Sequence, residues 1–263
     1  MDDLLEVRDL KVWFPIRKGI LARTVGWVKA VDGVGFDLRQ GETLGIVGES
    51  GCGKSTTARA ILGLVRPRAG TIRFAGRDIR DWSRLDYHRK VQVVFQDPLA
   101  SLNPRHTVLD ILTEGAVCHG LIRKSERRDR AASLLETVGL PGDILDRYPH
   151  EFSGGQRQRL CIARAVALDP ELLVCDEAVS ALDLSIRAQV LDLLADLKRR
   201  LSLSVIFITH DLGVVRHIAD RVLVMHRGRI VEQGPCAEVL RNPSAEYTRY
   251  LMSAVPAIGK PLA

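Results

Sequence analysis

The segment from Gly48 to Thr56, which reads Gly-Glu-Ser-Gly-Cys-Gly-Lys-Ser-Thr, constrains this chain more than any other. It follows the apolar run Thr43–Val47, which is typical of a short strand, and a stretch of helical periodicity from Lys54 to Val65 comes next. The glycines of the segment allow successive backbone amides to turn toward a bound anion without obstruction by side chains. A strand, a glycine-rich loop and a helix in this order predict a phosphate-binding loop.

The side chains of this loop extend the prediction to a nucleoside triphosphate with Mg²⁺. The ammonium group of Lys54 suits the β- and γ-phosphate oxygens, and the hydroxyl of Ser55 suits the metal ion. The helix that follows adds the positive end of its dipole. The predicted ATP-binding residues of the loop are Gly48, Ser50, Gly51, Cys52, Gly53, Lys54, Ser55 and Thr56.

A pair of carboxylates, Asp176 and Glu177, follows the apolar run Leu172–Cys175. At the carboxyl end of a strand the pair would lie where open α/β sheets bind their ligands. Asp176 then suits the Mg²⁺ shell, and Glu177 suits the task of orienting or deprotonating the attacking water. The alternative is two acids that form surface ion pairs.

Two more polar residues come at the ends of predicted strands. His210 follows Val205–Thr209, and its imidazole can hydrogen-bond the γ-phosphate and the catalytic carboxylate. Gln96 ends the strand pattern that begins at Val91, and its amide oxygen can reach Mg²⁺ or the water. Each residue alone would more often be structural. The predicted metal ligands are Ser55, Gln96 and Asp176, and the predicted catalytic residues are Glu177, His210 and Gln96.

A second anion-binding segment is predicted from Ser153 to Gln156. Ser153 is suited to cap the helix that follows, and Gly154 and Gly155 expose backbone amides at its start. The segment lies far along the chain from Lys54, so the two are not expected to hold the same nucleotide within one chain. Two subunits arranged head to tail would let each close the nucleotide of the other.

The hydrophobic pattern predicts an α/β fold. Strands and helices alternate from Leu172 to Met225, which predicts a largely parallel sheet with right-handed crossovers. A long hairpin is predicted from Leu4–Phe14 and Val28–Leu38, separated by a basic excursion from Pro15 to Gly26. The predicted domains are an ATPase core over residues 1–96 and 169–235, an inserted helical subdomain over 97–168, and a short tail over 236–263.

Composition and charge exclude several other classes of protein. With 46% hydrophobic residues the chain can form a packed core, and its apolar runs fall far short of the roughly 18 residues of a membrane span. The N-terminus lacks the basic and then apolar order of a secretory signal. The five cysteines have no paired spacing and are interpreted as reduced and buried. The cluster Arg123–Arg130 is interpreted as a solvated helix face, the usual role of such a charge run, in preference to a nucleic-acid or lipid contact. The absence of aromatic residues among these charges argues further against nucleic acid.

Taken together and in order, these segments resemble the nucleotide-binding subunit of an ATP-binding cassette (ABC) transporter over nearly the whole chain. The resemblance implies a P-loop NTPase (RecA-like) core with an N-terminal antiparallel β subdomain and an inserted helical subdomain. It makes Gly48–Thr56 the Walker A loop, Asp176 and Glu177 the Walker B motif, and Gln96 and His210 the Q-loop and switch residues.

In that family the γ-phosphate is held between the Walker A loop of one subunit and the signature of its partner. The resemblance makes Ser153-Gly154-Gly155-Gln156 the signature and Ser180-Ala181-Leu182-Asp183 the D-loop. It therefore implies that these residues contact the nucleotide of the partner subunit: Ser153, Gly154, Gly155, Gln156 and Asp183.

Two further segments, residues 94–105 and 242–251, resemble those of the dipeptide, oligopeptide and nickel importers. The hairpin that ends at residues 28–34 is similar to the second (DppF/OppF-like) of the two ATPases in such systems. The resemblance implies ATP and Mg²⁺ as cofactors, a second ABC ATPase as partner in a heterodimer or homodimer, two transmembrane permease subunits, and a solute-binding protein that acts indirectly. It implies a peripheral position at the cytoplasmic face of the inner membrane and no nucleic-acid partner.

The chain departs from the family pattern in two places. Ala178 stands where the family usually has proline, which changes the backbone beside Glu177 but removes no catalytic group, so activity is expected to survive. Longer relatives carry a cysteine-rich extension that can hold an iron–sulfur cluster. No such cluster is expected here, because Cys236 alone cannot supply four thiolates.

The residue that stacks on adenine is open at this point. The family places an aromatic at the end of the first strand, and the chain has Trp13 and Phe14 there. Family spacing favours Phe14. The alternative is that Phe14 belongs to the core and that Trp13 or Trp27 stacks on the base.

The expected function is an ATP-hydrolysing subunit of an importer of peptides or of a related solute, such as a nickel chelate or glutathione. The main alternative is a soluble ABC-type ATPase of DNA repair or translation. Such proteins usually carry two cassettes or a long coiled coil, and neither fits within 263 residues. A subunit that binds ATP without turnover is a third possibility, against which Glu177, Gln96 and His210 argue together.

Overall fold

The computed structural model describes residues 3–19 and 23–254. Its strands are β1 (Asp3–Lys18), β2 (Arg23–Arg39), β3 (Thr43–Val47), β4 (Ala69–Phe74), β5 (Arg77–Asp78), β6 (Val91–Val94), β7 (Leu172–Asp176), β8 (Ser204–Thr209), β9 (Arg221–His226) and β10 (Arg229–Pro235). Its α-helices are α1 (Lys54–Ile61), α2 (Arg84–Lys90), α3 (Pro98–Ser101), α4 (Val108–Cys118), α5 (Arg127–Thr137), α6 (Gly154–Val166), α7 (Leu184–Leu201), α8 (Leu212–Ile218), α9 (Cys236–Arg241) and α10 (Glu246–Ala254). Short 3₁₀ turns cover Ile79–Asp81, Lys124–Glu126, Gly142–Ile144 and Pro149–Glu151.

The chain divides into two compact units, which are described separately. The P-loop unit contains Asp3–Leu38, Glu42–Gly76 and the chain from Phe207 onward. The helical unit contains Arg39–Gly41 and Arg77–Ile206. The chain passes from the helical unit to the P-loop unit within β8.

The P-loop unit contains an antiparallel sheet and a mainly parallel one. In the first, the strand order is β2-β1-β4, with Leu5 opposite Phe74 and Val7 opposite Ile72. In the second, β3 is parallel to β9, and β10 adds an antiparallel edge. All five residues of β3 are buried, which is the pattern of a strand covered on both faces. The buried strand ends at Val47, so the glycine-rich loop begins from a firmly packed position.

The helical unit combines a parallel strand pair with a packed group of helices. Strands β6 and β7 are parallel, with Val94 opposite Cys175. The first four residues of β7 are buried and its last, Asp176, is partly exposed. Helices α4 and α5 pack on α6, in which Leu160 and Ile162 are both fully buried. The predicted α/β fold class with a parallel sheet is confirmed.

Several predicted elements agree with the structure, and a few bounds differ. The predicted strand Thr43–Val47 and helix Leu212–Ile218 are confirmed residue for residue. The helix predicted from Lys54 to Val65 ends at Ile61, because Gly63 adopts a positive φ of 69°, a conformation that ends helices.

The predicted excursion from Pro15 to Gly26 is wrong where the structure describes it. Strand β1 continues to Lys18 and β2 begins at Arg23, and residues 20–22 lie outside the described residues. The end of β1 and the beginning of β2, which lie next to the turn of this hairpin, are largely exposed. The sequence there lacks the alternation of apolar and polar residues that reveals a half-buried strand. The prediction that every cysteine is buried is also wrong, because Cys118 is exposed at the end of α4.

The basic cluster is paired with acids of its own unit. Its ion pairs are Arg123 with Glu126, Arg127 with Asp110, Arg128 with Asp146, and Arg130 with Asp169. The hydrogen bond from Arg127 holds the pKa of Asp110 below its usual value. These arginines therefore act within the helical unit, in agreement with the structural interpretation of the cluster.

Among residues 3–19 and 23–254, no helix combines the length and the apolar character that a membrane span requires.

Candidate nucleotide-binding site

The glycine-rich loop leaves β3 through a tight passage that only glycine fits. Gly48 has a φ of 152°, and a Cβ added there would lie 2.2 Å from the carbonyl oxygen of Met225. Gly53, at the end of the loop, has a φ of 110°, and a Cβ there would lie 2.3 Å from the carbonyl oxygen of Ala30. Neither distance is possible for a real side chain, so the path of the loop depends on glycine at both positions.

Lys54 is held inside the loop by two backbone carbonyls. Its Nζ donates to the carbonyl oxygens of Gly48, at 2.7 Å, and Glu49, at 2.9 Å. The Lys54 side chain is buried although it carries a charge. A buried ammonium group beside a glycine cradle gives this loop a positive interior, and such an interior fits a phosphate group.

Helix α1 begins directly at Lys54 and has Gly53 at its N-cap position. The hydroxyl of Thr57 donates to the Gly53 carbonyl at 3.0 Å. Because glycine has no side chain, the N-cap residue itself cannot accept from the amides of the first turn, as is expected of a helix start that receives an anion.

His210 directly follows β8 and is exposed. The next residue, Asp211, accepts hydrogen bonds from the amides of Gly213 and Val214 and so caps α8. The Asp211 amide in turn donates to the hydroxyl of Thr209. This turn fixes the backbone on the carboxyl side of His210 at the end of a buried strand.

In the helical unit, the acidic pair lies at the carboxyl end of β7 as predicted. Glu177 adopts the left-handed conformation, with a φ of 52°, which costs about 1 kcal/mol for a residue other than glycine. Its carbonyl oxygen accepts two hydrogen bonds from Ser180, one from the amide at 3.1 Å and one from the hydroxyl at 2.9 Å. Ala178, between them, is buried. Ser180 therefore stabilises the turn that carries Glu177.

The segment from Ser180 to Asp183 connects this turn to α7. The guanidinium of Arg187 donates to the carbonyl oxygens of Ser180, at 3.5 Å, and Leu182, at 3.3 Å. Asp183 occupies the N-cap position of α7. Arg187, which belongs to α7, therefore holds the segment that leads into this helix.

Gln96 is exposed and lies beyond the end of β6, which finishes at Val94. The next residue, Asp97, caps α3 by accepting from the amides of Leu99 and Ala100. Two residues of α6 attach this segment: Arg164 donates to the carbonyl of Ser101 at 2.5 Å, and the Cys161 thiol to that of Pro98 at 3.9 Å. The segment after Gln96 is thereby joined to the helix that begins at Gly154.

The start of α6 is closed by a reciprocal pair of hydrogen bonds. The Ser153 hydroxyl accepts from the amide of Gln156 at 3.3 Å, and the Gln156 side chain accepts from the amide of Ser153 at 3.0 Å. This capping box confirms the predicted cap. Gly154 is exposed, whereas Gly155 is buried against Ile186. An exposed, well-ordered helix start is thus available to an anion from outside the unit.

Comparison with known proteins identifies the family. The model of the ABC transporter family, described as "ABC transporter", matches residues 31–180. The chain belongs to the ABC transporter family. It is an ATPase of the ABC type, and the predicted family and enzyme class are confirmed.

Relatives of this ABC ATPase are similar over nearly its whole length. It is 51% identical over 263 residues to the oligopeptide transport ATP-binding protein AppF of Bacillus subtilis, covering 98% of this chain and 80% of AppF. It is 52% identical to OppF of Salmonella typhimurium, covering 96% of this chain and 78% of OppF. It is also 52% identical to the glutathione import ATP-binding protein GsiA of Escherichia coli O6:H1, of which it covers 41%. The predicted class of ATP-binding subunit is confirmed, and the DNA-repair or translation alternative is not favoured.

Solved structures agree with this fold. The ABC chain has a TM-score of 0.78 to cbiO1 of Clostridium perfringens, part of the transporter complex cbiONQ, at 29% identity and 92% coverage of both chains. The ATP-binding cassette MJ0796, in a dimeric post-hydrolysis state with ADP and Pi, gives a TM-score of 0.76 at 24% identity, with 88% of this chain and 98% of that chain covered. The second similarity supports the fold alone.

The structure distributes the predicted ABC site residues over both units. The Walker A loop, His210 and Phe14 belong to the P-loop unit, in which the loop is fully formed. Gln96, the acidic pair, the signature and Asp183 belong to the helical unit. His210, the acidic pair and Ser153 lie at strand ends or at a helix start, as predicted. Gln96 lies two residues beyond the end of β6, and Phe14 lies within β1, which continues to Lys18. Their roles stay predictions.

Of the aromatic candidates for adenine, Phe14 is 42% exposed and so is not a core residue. The ring of Trp13 lies beneath Lys29, at 4.5 Å, and Arg68, at 5.0 Å, and its Nε1 donates to Asp32. The part of the alternative in which Phe14 is buried is therefore wrong. Trp27 is equally exposed, at 42%, and Arg68 lies over its ring at 4.2 Å. Which aromatic ring stacks on adenine stays a prediction, with Phe14 first.

One contact of the Walker A loop could not be found from the motif. The hydroxyl of Tyr247, on α10, accepts a hydrogen bond from the amide of Glu49 at 3.2 Å. The only sequence signal is that Tyr247 lies in the C-terminal segment that resembles peptide importers. Nothing in that segment indicates which part of the chain it contacts.

Proposed function

We propose that this ABC ATPase powers the import of oligopeptides, or of a related small solute, through a separate membrane permease. The observation that carries the proposal is an identity of about half over nearly the whole chain to proteins named for oligopeptide transport. The GsiA relatives, named for glutathione import, are equally similar where they match. Glutathione is therefore a further candidate solute after oligopeptides. Nickel chelates are a third candidate, from the resemblance of residues 94–105 and 242–251 to importers of that group.

We propose that the Walker A loop holds the phosphates of ATP together with Mg²⁺. The glycine cradle and the buried ammonium of Lys54 fit a polyphosphate, because the glycines leave the loop amides unobstructed and the interior of the loop is positive. Ser55, Gln96 and Asp176 would hold Mg²⁺, which when bound neutralises charge on the phosphate oxygens. Phe14 would stack on the adenine ring.

In this proposal Glu177 orients the attacking water and accepts its proton. The hydrogen bonds from Ser180 support the role, because they fix the unusual backbone from which the carboxylate projects. Gln96 would help to position the water, and His210 would hydrogen-bond the γ-phosphate.

We propose that hydrolysis requires a second ABC ATPase subunit, in a heterodimer or a homodimer. Ser153, Gly154, Gly155, Gln156 and Asp183 would contact the nucleotide bound by that partner. The exposed start of α6 supports this, because the positive end of the helix dipole there favours an anion that approaches from outside the unit. ATP would then favour the closed dimer, because its γ-phosphate touches both subunits only in that state.

The segment from Asp97 to Arg105 is the proposed contact with the permease. It exposes Leu99, Asn103 and Pro104, and it is attached to α6 through Arg164. We propose residues 97–168 as the helical subdomain, residues 1–96 and 169–235 as the ATPase core, and residues 236–263 as the tail. The subunit would lie at the cytoplasmic face of the inner membrane, with two permease subunits and, indirectly, a solute-binding protein.

The substitution Glu177→Gln tests the catalytic assignment. We expect the ATPase rate to fall by about a hundredfold, while ATP is still bound and the dimer stays closed. The rate is measured by phosphate release, and closure by size-exclusion chromatography with light scattering. Hydrolysis at the parent rate would contradict the role of Glu177. Glu171→Gln is the matched control. Glu171 directly precedes β7, at the end of the strand opposite to Glu177, and forms an ion pair with Lys90. The ATPase rate of this variant should stay within about twofold of the parent rate.

A comparison of ATPase rates tests the transport function. The rate is measured for the chain alone, with its partner ATPase, and with permease subunits reconstituted in lipid. We expect the highest rate in the complete complex when an oligopeptide and the solute-binding protein are present. A rate that is maximal without permease, and that nucleic acid or ribosomes stimulate, would instead indicate the soluble alternative.

A further inference from the structure

The peptide group between Gly48 and Glu49 is hydrogen-bonded at both ends. Its carbonyl oxygen, on Gly48, accepts from the Nζ of Lys54 at 2.7 Å. Its amide, on Glu49, donates to the hydroxyl of Tyr247 at 3.2 Å. Because a peptide group is planar, its carbonyl cannot turn without its amide, and Tyr247 therefore constrains the oxygen that holds the Lys54 ammonium.

Tyr247 is itself fixed by its surroundings in the P-loop unit. Its ring stacks on His226, with ring centroids 3.9 Å apart and an interplanar angle of 16°. His226 is the last residue of β9, next to the Met225 carbonyl that leaves no room for a side chain at Gly48. The ring thus has a defined position relative to the beginning of the loop.

The helix that carries Tyr247 is anchored at its base. Glu232, on β10, accepts from the amide and hydroxyl of Ser244, at 2.7 and 2.8 Å, and from the amide of Ala245 at 3.1 Å. These bonds fix the turn that leads into α10. Apolar side chains of α10, Leu251 and Met252, pack against the core beneath β9. The tyrosine is therefore presented from a supported helix.

We propose that Tyr247 is a positioning residue for Lys54, and that it acts through the Gly48–Glu49 peptide group. It contacts the loop backbone and leaves phosphate binding to the loop. Without the Tyr247 hydroxyl, the peptide group loses one of its two hydrogen bonds and turns more easily. The Lys54 ammonium, which the Glu49 carbonyl also holds, then spends less time where a phosphate would meet it. The inference rests on the proposed function, because it assumes that the loop binds ATP.

The substitution Tyr247→Phe tests the proposal, since it removes the hydroxyl and keeps the ring on His226. Binding is measured on the full chain by the fluorescence of MANT-ATP with Mg²⁺, and turnover by phosphate release from its complex with the partner ATPase. We expect the Kd for MANT-ATP and the KM for ATP to rise by about threefold to tenfold, the usual effect of one hydrogen bond. We expect kcat to change by less than about twofold, because no group in contact with the reacting atoms is altered. An unchanged Kd and KM would overturn the proposal.

Tyr250→Phe is the matched control. Tyr250 lies on the same helix, is 60% exposed, and has its ring 6.4 Å from that of Tyr247. We expect its Kd to equal that of the parent. An equal rise in both variants would show a general effect of the helix and would overturn the specific role of Tyr247.

A double-mutant cycle with Lys54→Ala separates positioning from a merely structural role. If Tyr247 acts through Lys54, adding Tyr247→Phe to Lys54→Ala should change the Kd for MANT-ATP by less than about 1.5-fold. The same threefold to tenfold rise in both backgrounds would overturn the proposal. If the parent chain binds no MANT-ATP, the proposed function fails instead, so the two failures are distinguishable.

Discussion

Two pairs of glycines define the two halves of the proposed site, and they are required for different reasons. In the Walker A loop, Gly48 and Gly53 have positive φ angles, and an added Cβ would strike backbone oxygens at 2.2 and 2.3 Å. In the signature, Gly155 would strike only a side chain, Cγ2 of Ile186 at 2.6 Å. A Cβ at Gly154 would meet nothing closer than Leu182 at 4.0 Å.

This difference shows which glycines the chain needs for its own structure. The loop glycines are required by the backbone of the P-loop unit, whether or not a nucleotide is bound. Gly154 has room for a methyl group, so the fold of its own unit does not explain it. If glycine is needed there, the need must come from a molecule that approaches the helix start from outside, which in our proposal is the nucleotide of the partner subunit.

The largest effect is expected for Gly53→Ala. The methyl group would overlap the Ala30 carbonyl in a conformation that already disfavours alanine, so we expect the free energy of unfolding to fall by about 3 kcal/mol. Binding of MANT-ATP should be lost at the same time. Chemical denaturation and fluorescence titration measure the two effects.

Gly63→Ala controls for backbone strain without overlap. Gly63 has a φ of 69° and no heavy atom within 4 Å of an added Cβ. We expect a loss of about 1 kcal/mol in stability and unchanged nucleotide binding. If both variants behave alike, the contrast between loop and signature glycines rests on strain alone.

A smaller and purely functional effect is expected for Gly154→Ala. The free energy of unfolding should change by less than about 0.5 kcal/mol, because the methyl group meets no neighbour. The ATPase rate of the complex with the partner subunit should fall by about tenfold, because the methyl group would separate the helix start from the partner's nucleotide. Normal activity in the complex would show that Gly154 is not needed for contact with the partner's nucleotide.

Gly155→Ala is the matched control for that variant. Its methyl group would press on Ile186, so it should lower stability by about 1–3 kcal/mol. The double substitution Gly155→Ala with Ile186→Ala should recover part of that loss, because the smaller side chain makes room. A stable Gly155→Ala protein would show that α6 and α7 adjust more easily than the structure suggests.

The smallest effect is expected for Cys52→Ser, in the same loop. The Cys52 side chain is buried beside Lys54, with 3.8 Å between Sγ and Nζ, and burial raises the pKa of the thiol. A serine hydroxyl is close in size, so the ATPase rate should stay within about threefold. In the parent chain, iodoacetamide should label the exposed Cys118 before Cys52. Rapid labelling of Cys52 would show that the loop opens more often than its buried packing implies.

The sequence was a good guide wherever burial and periodicity coincide. Thr43–Val47 is a continuous apolar run and is a strand with all five residues buried. The motifs also placed the loop, the acidic pair and the signature at strand ends and helix starts, because these motifs depend on local backbone geometry. The exposed hairpin around Trp27 was not recognised as strand, since neither of its faces is consistently buried.

Contacts between distant parts of the chain could not be predicted. The hydrogen bond from Glu49 to Tyr247 joins residues at opposite ends of the sequence, and no local pattern indicates it. The left-handed backbone of Glu177 was also missed, because glycine is the usual signal for that conformation and the chain has glutamate there. The first is a tertiary hydrogen bond, and the second is a turn stabilised by local hydrogen bonds from Ser180. A single sequence displays neither.

Through Arg164, helix α6 connects the signature to the segment proposed to contact the permease. The helix begins at the signature, and near its other end, roughly 15 Å away, Arg164 holds the carbonyl of Ser101 in the segment proposed to contact the permease. A straight helix transmits a displacement along its length with little loss. A shift of Ser153 toward the partner's nucleotide would therefore move α3 by a similar amount. The permease could then sense, from the position of one short helix, whether the opposite subunit is loaded with ATP.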